Sequence, residues 1–261
     1  MRWLGFSPAA LLDRLRLGRS APEPVHAHTP EAVRARLSTR SAPSYVGDCI
    51  YGGFDGIVTT FAIVAGVAGA SLSLRVTVIL GVANLLADGF SMAMGDYLSA
   101  KAEDERYDEL RRIEEEHVAL DPDGERVEVR EIFRQMGLSA DLIEPATAAV
   151  TADRRRWIDL MMTGEYGLAG RGRNPRVAGA ATFGAFVLFG MVPLAPYLLG
   201  LTSAFLWACG LTAVAFVLVG VLKARHAGRP VPVAAFETLA VGGSAAAIAW
   251  VIGWALSQLP I

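Results

Sequence analysis

The sequence predicts an all-α membrane protein with five transmembrane helices and a polar, cytoplasmic helical domain inserted between the second and third. Three observations predict it. Of the 261 residues 53% are hydrophobic and only 19% charged, with a mean hydropathy of +0.39, well above what one soluble core requires. The apolar residues gather in five stretches of the roughly 20 residues that cross a bilayer. Between the second and third stretch, Lys101 to Arg176 holds 18 of the 26 acidic and 13 of the 24 basic residues, more charge than any span can carry.

Taken in order, residues 1–47 carry Arg2, Arg14, Arg16, Arg19, Arg34, Arg36 and Arg40 against Asp13, Glu23 and Glu31. They lack the short apolar stretch and small-residue cleavage site of a secretory signal. They read as a cytoplasmic extension, disordered in part around APEPVHAHTP. Residues 48–100 hold the first two spans, Ile50 to Ala70 and Val76 to Leu98, and residues 101–176 form the polar domain. Residues 177–261 hold the last three, Val177 to Leu199, Ala204 to Leu222 and Val233 to Leu256.

Positive flanks set the orientation. The arginine-rich start places the beginning of the first span inside. Five crossings then put the polar domain inside, GLTSA outside, KARHAGRPVP inside and SQLPI outside. Lys223, Arg225 and Arg229 fall on the inner side, whereas the outer links carry only Arg75, so charge and crossing count agree. Cys49 and Cys209 lie deep in apolar sequence; they form no disulfide framework and read as small buried hydrophobes.

After Gly95 no glycine or proline interrupts the second span through AKAEDERYDELRRIEEEHVAL, so one helix runs out of the membrane until DPDG stops it. ERVEVREIFRQMG follows as a helix closing on Gly137. A third starts after Ser139, its candidate cap, and a further helix runs through DRRRWIDLMMTGEYGL to the link GRGRNPR. The polar domain therefore holds three or four helices. There is no fixed-period repeat, no glycine-rich phosphate loop and no CxxC pair.

The chemistry starts with Asp55, in YGGFDGIVTTF, because a carboxylate at the centre of a span costs about 2.5–3.5 kcal/mol on insertion scales. Such an acid faces a protein interior or a water-filled path, unless it sits near the inner interface. Gly52, Gly53 and Gly56 either admit a neighbouring helix or leave a cavity beside it. The second span adds Asn84, Asp88, Met92 and Asp96 at a spacing of four. Residues four apart share a helix face, drifting by about 40° per step, so Asn84, Asp88 and Met92 make one polar and soft stripe, with Asp96 nearer the membrane edge. Carboxylates suit divalent cations generally, whereas a thioether binds hard calcium or magnesium poorly and tolerates transition metals. Methionine alone is ordinary span filler; the acids on the same face give it weight. Such carboxylates can also titrate, so metal and proton compete for one group.

In the polar domain Glu114 and His117 stand three apart, as do Glu125 and Glu128, with Glu131 one step further. Each pair shares a helix face, the arrangement of carboxylate-rich metal sites in helical bundles. LMMTGE adds Met161, Met162 and Glu165. A solvated charged face is the bland alternative for these acids.

Four stretches in order, DGIVTTFAIVAGVAGA, GFSMAMGDYLSAKAE, WIDLMMTGEYGL and MVPLAPYLL, resemble the vacuolar iron transporter family, and the likeness runs from about Ser44 to the C-terminus. That resemblance implies a five-span fold that dimerises, with a translocation path between subunits and a cytoplasmic metal-binding domain of three helices. It implies export of ferrous iron, often manganese too, from the cytoplasm in exchange for protons. Carried over by position, the intramembrane acid falls on Asp55 and the methionine on Met92, and the domain ligands on Glu114, Glu125, Glu128, Met161, Met162 and Glu165. The chain departs from the pattern twice. Asn84 stands where plant and fungal members have a glutamate, with an acid one turn later at Asp88. His117 stands where a domain glutamate is expected, and a histidine still ligates transition metals.

The expectation is a proton-coupled antiporter of ferrous iron or manganese, with zinc as a third candidate. It would have no permanently bound cofactor and no nucleic-acid partner, and would form a homodimer in a bilayer, most simply a bacterial plasma membrane. The rival is a membrane-tethered ferroxidase or iron store. A ferritin-like site, however, takes a Glu-x-x-His pair from each of two helices, and this domain has one, Glu114 with His117. A mere anchor also has no use for Asp55 and Asp88. A metal sensor would bind without flux.

Overall fold

The computed structural model describes residues 28–38 and 43–259, and every regular element among them is a helix. In chain order these are α1 (Pro30–Ser38), α2 (Val46–Gly69), α3 (Leu74–Leu120), α4 (Pro122–Gln135), α5 (Ala140–Thr151), α6 (Arg154–Gly164), α7 (Pro175–Leu198), α8 (Ala204–Ala227) and α9 (Val231–Ser257). Five of them, α2, α3, α7, α8 and α9, are long and apolar enough to cross a membrane. Most of APEPVHAHTP, where disorder is expected, lies outside the described residues. The chain divides into two compact units, one running to Tyr97 and resuming at Arg176, the other spanning Leu98–Pro175.

In the apolar unit the glycines of α2 bring helices into backbone contact. A Cβ on Gly52 would collide with the carbonyl of Thr182, and one on Gly56 with the carbonyl of Phe186, both on α7. The sequence left open whether these glycines admit a helix or leave a cavity; they admit α7. From the other side a Cβ on Gly190 would lie 2.6 Å from Leu85 and 2.8 Å from the Gly56 carbonyl, so α2, α3 and α7 meet at one level. Ile57, Ala215, Phe216 and Val219 pack α8 against α2, and Phe61, Val64, Leu194, Tyr197, Ala204 and Ala208 fill a second apolar cluster. Large side chains such as Ile79, Leu86, Phe90, Leu206, Ile248 and Ile252 point outward, the surface a lipid environment accepts without a hydrophobic penalty.

Helix α3 is continuous over 47 residues, about 70 Å at 1.5 Å per residue. The hydrocarbon core is about 30 Å thick, so only the apolar first half can span it. The tail of α3 joins α4, α5 and α6 around Tyr107, Val118, Val129, Phe133, Ile143, Trp157, Ile158, Met161 and Met162. Arg111 reaches Asp159 at 2.8 Å and Arg130 reaches Glu144 at 2.7 Å, and Arg126 lies over the Trp157 ring at 5.3 Å. Of these, Arg130–Glu144 is the most exposed and adds little energy, whereas Arg111–Asp159 is part-buried and the Trp157 ring is buried.

Two boundaries differ from the sequence reading. Helix α4 begins at Pro122, inside DPDG, because Asp121 caps it by accepting from the Gly124 amide at 3.0 Å while the proline occupies the first turn. Ser139 does occupy the N-cap position of α5, although its side chain makes no capping bond. Helix α6 stops at Gly164 rather than running through GEYGL. There the Leu168 amide turns back to the Met162 carbonyl at 2.8 Å, with Gly167 at φ +70°. The helix before Gly137 does close on it, at φ +87°, with the Leu138 amide on the Phe133 carbonyl, a left-handed glycine termination.

Candidate metal-ion sites

Two groups of side chains predicted from the sequence are each brought together within one unit. In the apolar unit Leu85, Gly89 and Ala93 are buried, while Asn84, Asp88 and Met92, each one residue earlier on α3, are half-buried, as is Asp96. The stripe therefore flanks the packed face, rotated from it by about 100°. Asp55 is half-buried on α2 and lies within electrostatic reach of Asp88.

Phe186 explains the pairing. It is fully buried on α7 and meets Gly56 of α2 through its backbone and Gly89 of α3 through its ring. Asp55 and Asp88 are the residues preceding those two glycines. Both acids thus sit at the level where three helices converge. The Asn84 amide nitrogen is buried without a hydrogen-bond partner. Asp96 accepts from Thr182 Oγ1 of α7 at 2.7 Å, a partner that no spacing in the sequence signals.

The second group lies in the polar unit. Glu114, in the tail of α3 beyond the apolar span, is 1% exposed, and Glu125 at the start of α4 is 5% exposed. Each has one oxygen, Oε2, buried with no hydrogen-bond partner. The other oxygens are engaged. Glu114 Oε1 accepts from Tyr166 Oη at 2.8 Å, and Glu125 Oε1 lies 3.4 Å from His117 Nδ1. Glu128 and Glu165 are exposed and act electrostatically on both buried acids.

Burial pushes the Glu125 carboxyl up to about 7, with the Glu128 and Glu114 charges adding to it and His117 opposing. Burial likewise raises Glu114, the Tyr166 hydroxyl opposing and the Glu165 charge adding. Two buried acids facing further carboxylates make a site of negative potential that a cation would relieve. As placed, no three His, Cys, Asp or Glu side chains among the described residues form a ready-made coordination sphere.

Met161 and Met162 are fully buried in the apolar core of this unit. Glu131 belongs elsewhere. It is exposed and binds Arg134 and Gln135. Tyr166 was missed by the sequence reading; its neighbour in GEYGL is Glu165, and only the turn at Gly167 carries its hydroxyl back to Glu114.

A sequence profile of the VIT family matches residues 46–254. Among similar proteins, vacuolar iron transporter 1 of Oryza sativa subsp. japonica is 35% identical over 209 residues, 78% of this chain and 82% of the relative. Vacuolar iron transporter 1 of Arabidopsis thaliana is 35% identical over 214 residues, 80% and 85% of the two chains. The vacuolar iron transporter of Toxoplasma gondii is 33% identical over 235 residues, 85% of this chain and 78% of its own.

Proposed function

Because the chain belongs to the VIT family, we propose that it is a proton-coupled antiporter moving divalent transition metal, ferrous iron or manganese, out of the cytoplasm. Membership places it among membrane transporters rather than enzymes. Relatives named for iron make ferrous iron the first cargo to test, with manganese and zinc beside it. The observation that carries the reading is the pair Asp55 and Asp88, two acids in apolar helices within electrostatic reach of each other. A membrane anchor would gain nothing from them, since each costs free energy to insert.

In the proposed mechanism the polar unit faces the cytoplasm and captures metal with Glu114, His117, Glu125, Glu128 and Glu165. Met161 and Met162 supply thioether sulfur from the core side, a donor that favours softer ions. Asp55 and Met92 then hold the ion in the membrane, assisted by Asp88 and by the Asn84 amide. Protons arriving from the far side displace it, since a carboxylate cannot hold proton and metal together. A homodimer completes the path, because Asn84, Asp88 and Met92 are only half-buried within one copy. The simplest setting is a bacterial plasma membrane.

The test is metal uptake into proteoliposomes driven by an imposed pH gradient, for iron, manganese and zinc side by side. Asp55→Ala is expected to abolish flux, and Asp88→Ala to reduce it. Full flux through Asp55→Ala would remove that acid from the mechanism.

A further inference from the structure

Tyr166 is the polar neighbour of the capture cluster that none of the proposed ligand roles uses. It follows α6, where the Leu168 amide bond to the Met162 carbonyl and Gly167 at φ +70° fix the turn. Its hydroxyl donates to Glu114 Oε1 at 2.8 Å, and the other oxygen of Glu114 is buried and unpartnered. Glu165 lies within reach of the same hydroxyl. A phenol has one proton to donate, so it occupies one oxygen of one carboxylate at a time. In this arrangement that carboxylate is Glu114: Oε1 gives one lone pair to the Tyr166 hydroxyl, while Oε2 keeps its full acceptor capacity for a cation.

Resting on the capture role proposed above, we propose that Tyr166 is a specificity-determining positioning residue, biasing Glu114 toward one-oxygen coordination through Oε2 and so favouring small transition-metal ions over calcium. Calcium takes six to eight oxygens and often both oxygens of a carboxylate, whereas smaller ions take fewer donors at shorter distances. A two-oxygen grip on Glu114 has to share Oε1 with the Tyr166 hydroxyl, which draws electron density from that oxygen and weakens it as a donor. Oε2 carries no such competitor.

The test titrates the purified full-length protein in detergent with Co2+ and with Ca2+ at one pH. An Asp55→Ala, Asp88→Ala background removes both membrane acids of the proposed path. The protein with native Tyr166 is expected to bind Co2+ at least about tenfold more tightly than Ca2+. Tyr166→Phe is expected to narrow that ratio about threefold to tenfold, the worth of one hydrogen bond, and to weaken the visible Co2+ band as the coordination number rises. An unchanged ratio with an unchanged Co2+ spectrum would overturn the role of Tyr166. Tyr166→Leu removes the same hydroxyl and is read in the same way should Tyr166→Phe fail to fold. If the protein with native Tyr166 binds both ions equally, the role of Tyr166 falls while capture stands. If it binds neither, capture itself fails and this inference goes with it.

Discussion

Glu125 shows how one buried side chain can report on both stability and capture. Its carboxyl is pushed up to about 7, by burial first and then by the charges of Glu128 and Glu114. The folded chain therefore holds that proton more tightly than the unfolded chain does. Its contribution to stability is complete below the ordinary 4.5 and is lost as pH rises through about 7. Glu125→Gln, which has no charge to bury, is expected to raise the melting temperature of the metal-free protein at pH 8 and to leave it little changed at pH 4. A bound cation takes the proton's place, so Mn2+ affinity is expected to fall about tenfold per unit below about pH 7 for one displaced proton. Titrations between pH 5.5 and 8 would show it, and an affinity flat across that range would rule Glu125 out as a ligand. The spacing of Glu114, His117, Glu125 and Glu128 made this cluster legible in the sequence, because residues three apart on a helix share a face. Tyr166 and Thr182 were not legible. Their partners, Glu114 and Asp96, lie 52 and 86 positions away, and no local period reaches that far.

At the scale of elements, glycine decides which helices touch. Gly56 has no room for a Cβ against the Phe186 carbonyl, whereas Gly47 of the same helix has nothing within 4 Å of one. Gly56→Val is expected to force α2 off α7, at the cost of about 1–3 kcal/mol or more typical of overpacking. Gly47→Ala, by contrast, should melt no lower than the parent protein. Thermal unfolding in detergent separates the two, and equal melting temperatures would mean that α2 and α7 do not pack through Gly56. Helix α3 was readable end to end, since no breaker follows Gly95 until Asp121 and Pro122. The start of α4 and the end of α6 were not. One depends on whether a carboxylate reaches a particular amide, the other on a turn that folds back to Met162, and both are matters of geometry that several sequences would satisfy.

For the whole molecule, the proposed orientation makes a claim about sides. Two crossings return a chain to the side it left, and a third takes it away again. In a background lacking Cys49 and Cys209, Ser44→Cys and Ser139→Cys are expected to react with an impermeant thiol reagent from the cytoplasmic side, and Ser203→Cys from the opposite side. Labelling of Ser44→Cys and Ser139→Cys from different faces would contradict the five-span order. By itself the sequence determined that this chain is helical, that five stretches can cross a bilayer, and that acids stand in register along them, because hydrophobicity, helical period and charge are local quantities. Only the tertiary structure decided that α7 fills the glycine face of α2, and that the glycines following Asp55 and Asp88 both meet Phe186, with the two acids within electrostatic reach. It also decided that Tyr166 holds one oxygen of Glu114 and leaves the other free of partners. Those facts depend on contacts between distant segments, set by the close packing of particular side chains, which a linear pattern does not encode.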